Sequence, residues 1–224
     1  MGFIDAITGF WDLFVESLPM LLSGLGLTLE LAAVSLIIAM ILGLFSSLMG
    51  MSKIKVLRWI SQIYVAIIRG TPLLVQAFFI YFGITGLLGI RMTAFMAGII
   101  ALSLNAGGYL SEIFRGGIQA VDPGQSEAAR SLGLSMAQTL RKVVIPQAVR
   151  ICIPSVVNQW CITIKDTSII CVIGLAELTW AGQQIIARTY QSFQVWLMVG
   201  ILYFVIIYVL TVLSRILEKK VSLG

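Results

Sequence analysis

The chain has 224 residues, of which 59 % are hydrophobic and 11 % charged, with a formal net charge of +5 and no histidine. The apolar share lies well above the roughly 45–50 % of soluble domains, and a water-soluble globule cannot hide it. A bilayer can, because it replaces water as the solvent of the outer face; the composition therefore points to an all-α integral membrane protein.

The first residues lack the basic start of a signal peptide. Phe3, Ile4, Ile7, Phe10, Trp11 and Phe14 recur at helical spacing, which reads either as an amphipathic helix on the outer surface over residues 1–16 or as an extension of the first span. From residue 17 to residue 224 the chain reads as a single transmembrane domain. Leu31–Gly50 is free of charge and continues back to Leu18 with only Glu30 in between, enough to cross a hydrocarbon core that takes about 20 residues.

Trp59 to Ile90 would be about 48 Å as one straight helix, too long for one crossing. A break is expected at Arg69-Gly70-Thr71-Pro72, with Thr71 as N-cap and Pro72 at the first helical position. Residues 55–68 are then either interfacial or part of the span. Gly70–Ile90, Met92–Ser111, Ile151–Ala176 and Val195–Ser214 complete five spans, the fourth apolar except for Lys165 and Asp166.

Before Lys53 there is no Lys or Arg; basic residues then cluster at Lys53, Lys55 and Arg58, between Arg115 and Arg150, and at Arg215, Lys219 and Lys220. Five crossings put these clusters on one side, the cytoplasm, with the N-terminus outside and the C-terminus inside. The net charge is this asymmetry and not a nucleic-acid footprint.

The segment 116–150 interrupts the oily pattern on that side. Asp122, Pro123 and Gln125 read as N-cap, first helical proline and capping-box partner, and Gly133 closes the short helix. Ser135 and Gln138 repeat the capping-box spacing for a second helix that Pro146 ends or kinks. The result is a docking knob or an ordered loop packed on its own bundle.

Polar groups inside spans are costly and are functional hypotheses by default. Asn105, Gly108 and Glu112 share one face of the third span, with Asn105 near mid-bilayer and Glu112 within a turn of Arg115. Asn158, Cys161 and Lys165 share a face of the fourth, and Asp166 follows. These residues either line a translocation pathway or hold helices together. Cys152, Cys161 and Cys171 match no metal spacing, no hydrolase or zinc signature is present, and no G-x-x-x-x-G-K-[ST] occurs to cradle nucleotide phosphates.

Glu127-Ala128-Ala129, Gly133 and Val143-Val144-Ile145-Pro146 together resemble the E-A-A…G…I-x-L-P signature of ATP-binding-cassette (ABC) importer permeases, with Val143 and Ile145 where the pattern has Ile and Leu. Arg69-Gly70-Thr71-Pro72-Leu73-Leu74-Val75-Gln76, the Tyr109–Gln119 stretch, Lys165-Asp166-Thr167-Ser168 and Glu177-Leu178 resemble the polar amino-acid branch, the permeases for histidine, glutamate, glutamine, arginine and opines. The resemblance runs from about residue 20 to residue 220. It implies a type I importer permease fold in a bacterial cell membrane. Coupling to a separate ATPase dimer would fall to Glu127, Ala128, Ala129, Gly133, Leu134 and Pro146. The partners implied are that ATPase, a second permease, identical or paralogous, and an extracytoplasmic amino-acid-binding protein. ATP and Mg would be bound by the ATPase and no cofactor by this chain. The rival classes are a secondary transporter or channel, which needs no docking knob, and a membrane enzyme using Lys165, Asp166 or Glu112.

Overall fold

The computed structural model describes residues 3–222, and side chains from residue 9 to residue 216. Every regular element among them is helical. In chain order these are α1 (Phe3–Gly50), α2 (Lys55–Gly70), α3 (Leu73–Leu88), α4 (Ala94–Gln119), α5 (Pro123–Ser131), α6 (Met136–Ile173), α7 (Leu178–Thr189) and α8 (Ser192–Ser222). α1, α4, α6 and α8 are long and apolar enough to cross a membrane, and α2 with α3 adds a fifth span if the pair is counted as one.

The first helix is unbroken from Phe3 to Gly50, although Pro19 lies within it. Phe10 and Phe14 pack on the buried core while Trp11 stays exposed, so the backbone between residues 3 and 16 is continuous with the first span. Phe3, Ile4 and Ile7, on which the surface-helix reading also leaned, lie outside the described side chains.

The expected break between α2 and α3 is present. α2 stops at Gly70, Thr71 is extended, and α3 starts at Leu73. Proline forces this: the residue before it is pushed out of the helical region. The Thr71 hydroxyl differs from expectation, since it donates to the Ile67 carbonyl at 2.8 Å and so closes the end of α2.

The chain forms two compact units. Unit one takes the chain up to Ser35, Leu73–Leu102 and Thr163–Val209. Its core joins Leu13 and Leu21 of α1, Leu178, Ala181 and Ile185 of α7, and Val195, Met198 and Val199 of α8. Unit two takes Leu36–Pro72, Ser103–Ile162 and the chain from Leu210. Its core joins Ala39, Ala106, Leu110, Cys152 and Val156, with Val121, Val144 and Ala148 as a smaller cluster. Alanine and cysteine make up half of these positions, as suits helices in a bilayer, which associate by close packing and polar contact and not by hiding from water. Ser46 and Ser61 share a 3.0 Å hydrogen bond, Ser111 donates to Ser46 at 2.9 Å, and the three hydroxyls join α1, α2 and α4.

Candidate functional site

In the segment after α4, Asp122 caps α5 by accepting the Gly124 N–H at 2.7 Å, and Pro123 occupies the first turn. Gln125 departs from the expected capping box: its side-chain oxygen accepts from the Gln147 amide at 3.4 Å. Gly133 has φ +86, a left-handed position that suits glycine. The Leu134 N–H reaches back to the Ala129 carbonyl at 3.2 Å. Ser135 and Gln138 form the reciprocal box, with the Ser135 N–H donating at 2.8 Å and the Gln138 N–H at 3.3 Å.

The helix begun there does not end at Pro146. Leu140–Val144 forms a wide π turn, in which the Ile145 N–H bonds to the Leu140 carbonyl. The helix then runs on through Pro146 to Asp166. A proline cannot donate to the carbonyl four residues back and would crowd it; a widened turn just before it relieves that conflict. The segment is therefore one short free helix, α5, followed by the head of the long α6.

Within it Glu127 and Ala128 are exposed, whereas Ala129 is buried against the chain's own core. Leu134 is half-buried and Pro146 exposed. Two residues not singled out by motif belong to the same surface: Leu132 is 82 % exposed and Met136 56 %. Two bare apolar side chains in an otherwise polar connection are a sequence signal that the motif obscured.

The mid-span polar groups fall into two kinds. On α4 the face of Asn105, Gly108 and Glu112 is covered by α2. A Cβ on Gly108 would lie 2.6 Å from the Ile68 side chain, and Asn105 is only 7 % exposed. On α6 Asn158 and Lys165, seven residues apart, are both exposed, and Asp166 is half-buried. The helix tightens into a 3-10 turn at Thr167–Ile173 directly after this pair. Thr167 and Ser168 donate to the carbonyls of Ile164 and Lys165, each at 2.7 Å.

Glu112 takes the Arg115 guanidinium in two hydrogen bonds, at 2.6 and 3.0 Å, with Arg69 at 3.7 Å. Arg69 also lies over the Tyr109 ring at 5.7 Å. Arg69 of the Arg69–Pro72 turn thus braces the end of α2 against α4. These charged groups line one side of a polar cavity of about 840 Å³ walled by α1, α2 and α4.

Sequence reasoning noted Glu177 only as half of a motif. It is fully buried and caps α7, in the connection outside the spanning helices, by accepting the Trp180 N–H at 2.8 Å. It also accepts from the Tyr203 hydroxyl at 2.9 Å and the Thr28 hydroxyl at 3.5 Å, and Thr28 accepts the Leu178 N–H at 3.1 Å. Burial pushes its pKa upward, opposed by the N–H groups of Thr179 and Trp180 and by Tyr203.

Residues 39–223 match the family described as the inner membrane component of binding-protein-dependent transport systems. The chain is 37 % identical over 208 residues to the arginine transport system permease protein ArtQ of Bacillus subtilis, covering 93 % of this chain and 95 % of that one. It is 35 % identical over 214 residues to the glutamine transport system permease protein GlnP of Escherichia coli K12, covering 95 % and 98 %. A solved amino-acid ABC transporter, crystallised with histidines, superposes with a TM-score of 0.88 at 41 % identity, covering 92 % of this chain and 96 % of that one.

Proposed function

The chain belongs to the family of binding-protein-dependent transport system inner membrane components, and from that premise we propose that it forms the amino-acid pathway of an ATP-driven importer. It is a multi-pass membrane permease subunit and not an enzyme. Nucleotide and Mg belong to a separate ATPase dimer, since the chain carries no phosphate-cradling loop. That dimer docks on the exposed surface of Glu127, Ala128, Leu132 and Met136, shaped by the Gly133 turn and by the helix that passes Leu134 and Pro146. A second permease and an extracytoplasmic binding protein complete the unit. The basic clusters put the docking segment, and the C-terminus, on the cytoplasmic side.

One observation carries the pathway: Lys165 is exposed on α6, within an apolar span. An ammonium group facing lipid at that depth costs about 2.5–3.5 kcal/mol or more, so this face meets water or a second permease. Lys165 suits the carboxylate of a zwitterion and Asp166 its ammonium. Asn105 is buried on α4, one turn from the Gly108 contact with α2, and Glu112 holds Arg69 and Arg115 instead of cargo. Relatives of nearly equal similarity are named for arginine and for glutamine, so the cargo class is polar amino acids. Nucleotide-driven closure of the ATPases moves the docking segment and exchanges access from one side to the other.

The test is co-reconstitution of the chain with its ATPase and binding protein in liposomes, with uptake of a panel of labelled amino acids. Wild type should hydrolyse ATP and accumulate one or a few of them. Glu127→Lys and Gly133→Asp should lose the ATPase, and Lys165→Ala should keep it yet lose at least about tenfold in uptake, as for a lost charge-assisted contact. Uptake that persists without the ATPase and ignores the loop variants would instead mean a secondary transporter.

A further inference from the structure

The helix α2 has two faces of opposite character. One carries Val56, Trp59, Ile60, Ile63 and Ile67, each between 46 % and 70 % exposed, at the spacing of a helical stripe. The other walls the polar cavity of about 840 Å³. Three guanidinium groups, Arg58, Arg69 and Arg115, line that cavity against the single carboxylate of Glu112. Arg115 is fully engaged with Glu112 and Gln119. Arg69 approaches Glu112 only at 3.7 Å, and Arg58 has no ion pair among the described residues. Three positive charges thus face one negative charge, and Arg58 is the fork left for an anion, with Arg69 only loosely held. Ser47, 1 % exposed, also lines the cavity, and its hydroxyl has no partner among the described residues.

Arg58 borders a second space as well, a cleft of about 410 Å³ shared with Lys55, Val56, Trp59 and Ile60. One side chain therefore stands where a cationic polar cavity meets an apolar cleft. A small free anion would satisfy the cavity and leave the cleft unused. A molecule with an anionic head and apolar tails satisfies both, and a tryptophan beside basic residues marks the level at which such heads lie.

We propose that this cavity binds the phosphate headgroup of an anionic phospholipid, held by Arg58 and Arg69, with its acyl chains along the apolar stripe of α2. The guanidinium fork matches two phosphate oxygens. The site is separate from the pathway proposed above and does not depend on it.

The experiment uses the full-length chain alone in detergent, so that its outcome is independent of the transport reading. Native mass spectrometry counts bound phosphatidylglycerol and phosphatidylcholine across a lipid titration. Wild type should hold its first phosphatidylglycerol at least about tenfold more tightly than phosphatidylcholine, as expected for two arginines near an anionic head. Arg58→Gln with Arg69→Gln should remove that preference. Arg58→Gln alone, at an exposed position that does not threaten folding, should weaken it, and Arg58→Lys should retain most of it. Inorganic phosphate and free glutamine should fail to displace the lipid. Equal affinity for the two lipids, a preference that survives the double substitution, or displacement by phosphate or by glutamine would each overturn the proposal, the last two by identifying a site for a small anion or an amino acid instead.

Discussion

In unit one the carboxylate of Glu177 is fully buried and meets only neutral donors: the N–H groups of Thr179 and Trp180, a phenol and threonine hydroxyls. In unit two the Glu112 side chain is 30 % exposed and meets two guanidinium groups, beside an open polar cavity. The first arrangement joins α1, α7 and α8 through directed bonds of 2.8 to 3.5 Å, and the Thr179 hydroxyl adds a further contact to Tyr203 at 3.3 Å. The second has charges to spare and water within reach. Burial and neutral partners mark a carboxylate that belongs to the fold, and exposed charge beside a cavity marks one available to solvent and ligands.

This contrast can be broken by substitution. Glu177→Ala should have the largest effect, a loss of about 3 kcal/mol, because it removes a helix cap and leaves Tyr203 and Thr28 with an absent acceptor; the readout is the thermal midpoint of the purified chain in detergent. Gly24→Ala should cost about 2 kcal/mol by the same assay, since its Cβ would sit 3.0 Å from the Glu177 carbonyl oxygen and 3.0 Å from the Leu178 Cα. Tyr203→Phe should cost about 1 kcal/mol, the worth of one hydrogen bond to that carboxylate. Smallest of all, Glu112→Gln should change the midpoint by less than about 1 kcal/mol, because partly exposed ion pairs contribute little. A Glu112→Gln variant that melts below Glu177→Ala would reverse the assignment of roles.

Much of the architecture was legible in residue order. Gly70-Thr71-Pro72 announced the break after α2 because proline restricts its predecessor wherever it stands. Asp122, Gly133 and Ser135 announced the caps because capping is local chemistry. Residue order did not show which group each of several other side chains meets. Periodicity put Asn105, Gly108 and Glu112 on one face, but nothing in it says that Ile68 of α2 covers that face. Thr71 looked like a cap for the helix ahead and instead bonds the helix behind. Glu177 finds one of its donors 149 residues away, at Thr28, a distance no local pattern spans. Pro146 was expected to end or kink its helix; the helix does not end there, because the π turn ahead of it carries it past the proline.

That π turn also fixes where the chain tolerates a change in length. A π turn amounts to one extra residue let into an α-helix. Deleting a residue within Leu140–Val144 would restore ordinary winding and leave the stretches on either side facing as they do now. The same deletion between Ile145 and Val157 would turn the helix after it by about 100°, swinging Asn158 away from its present side. The 122–138 segment and Asn158 are thus phased to one another through a single adjustable turn, and insertions or deletions that preserve their phase belong there.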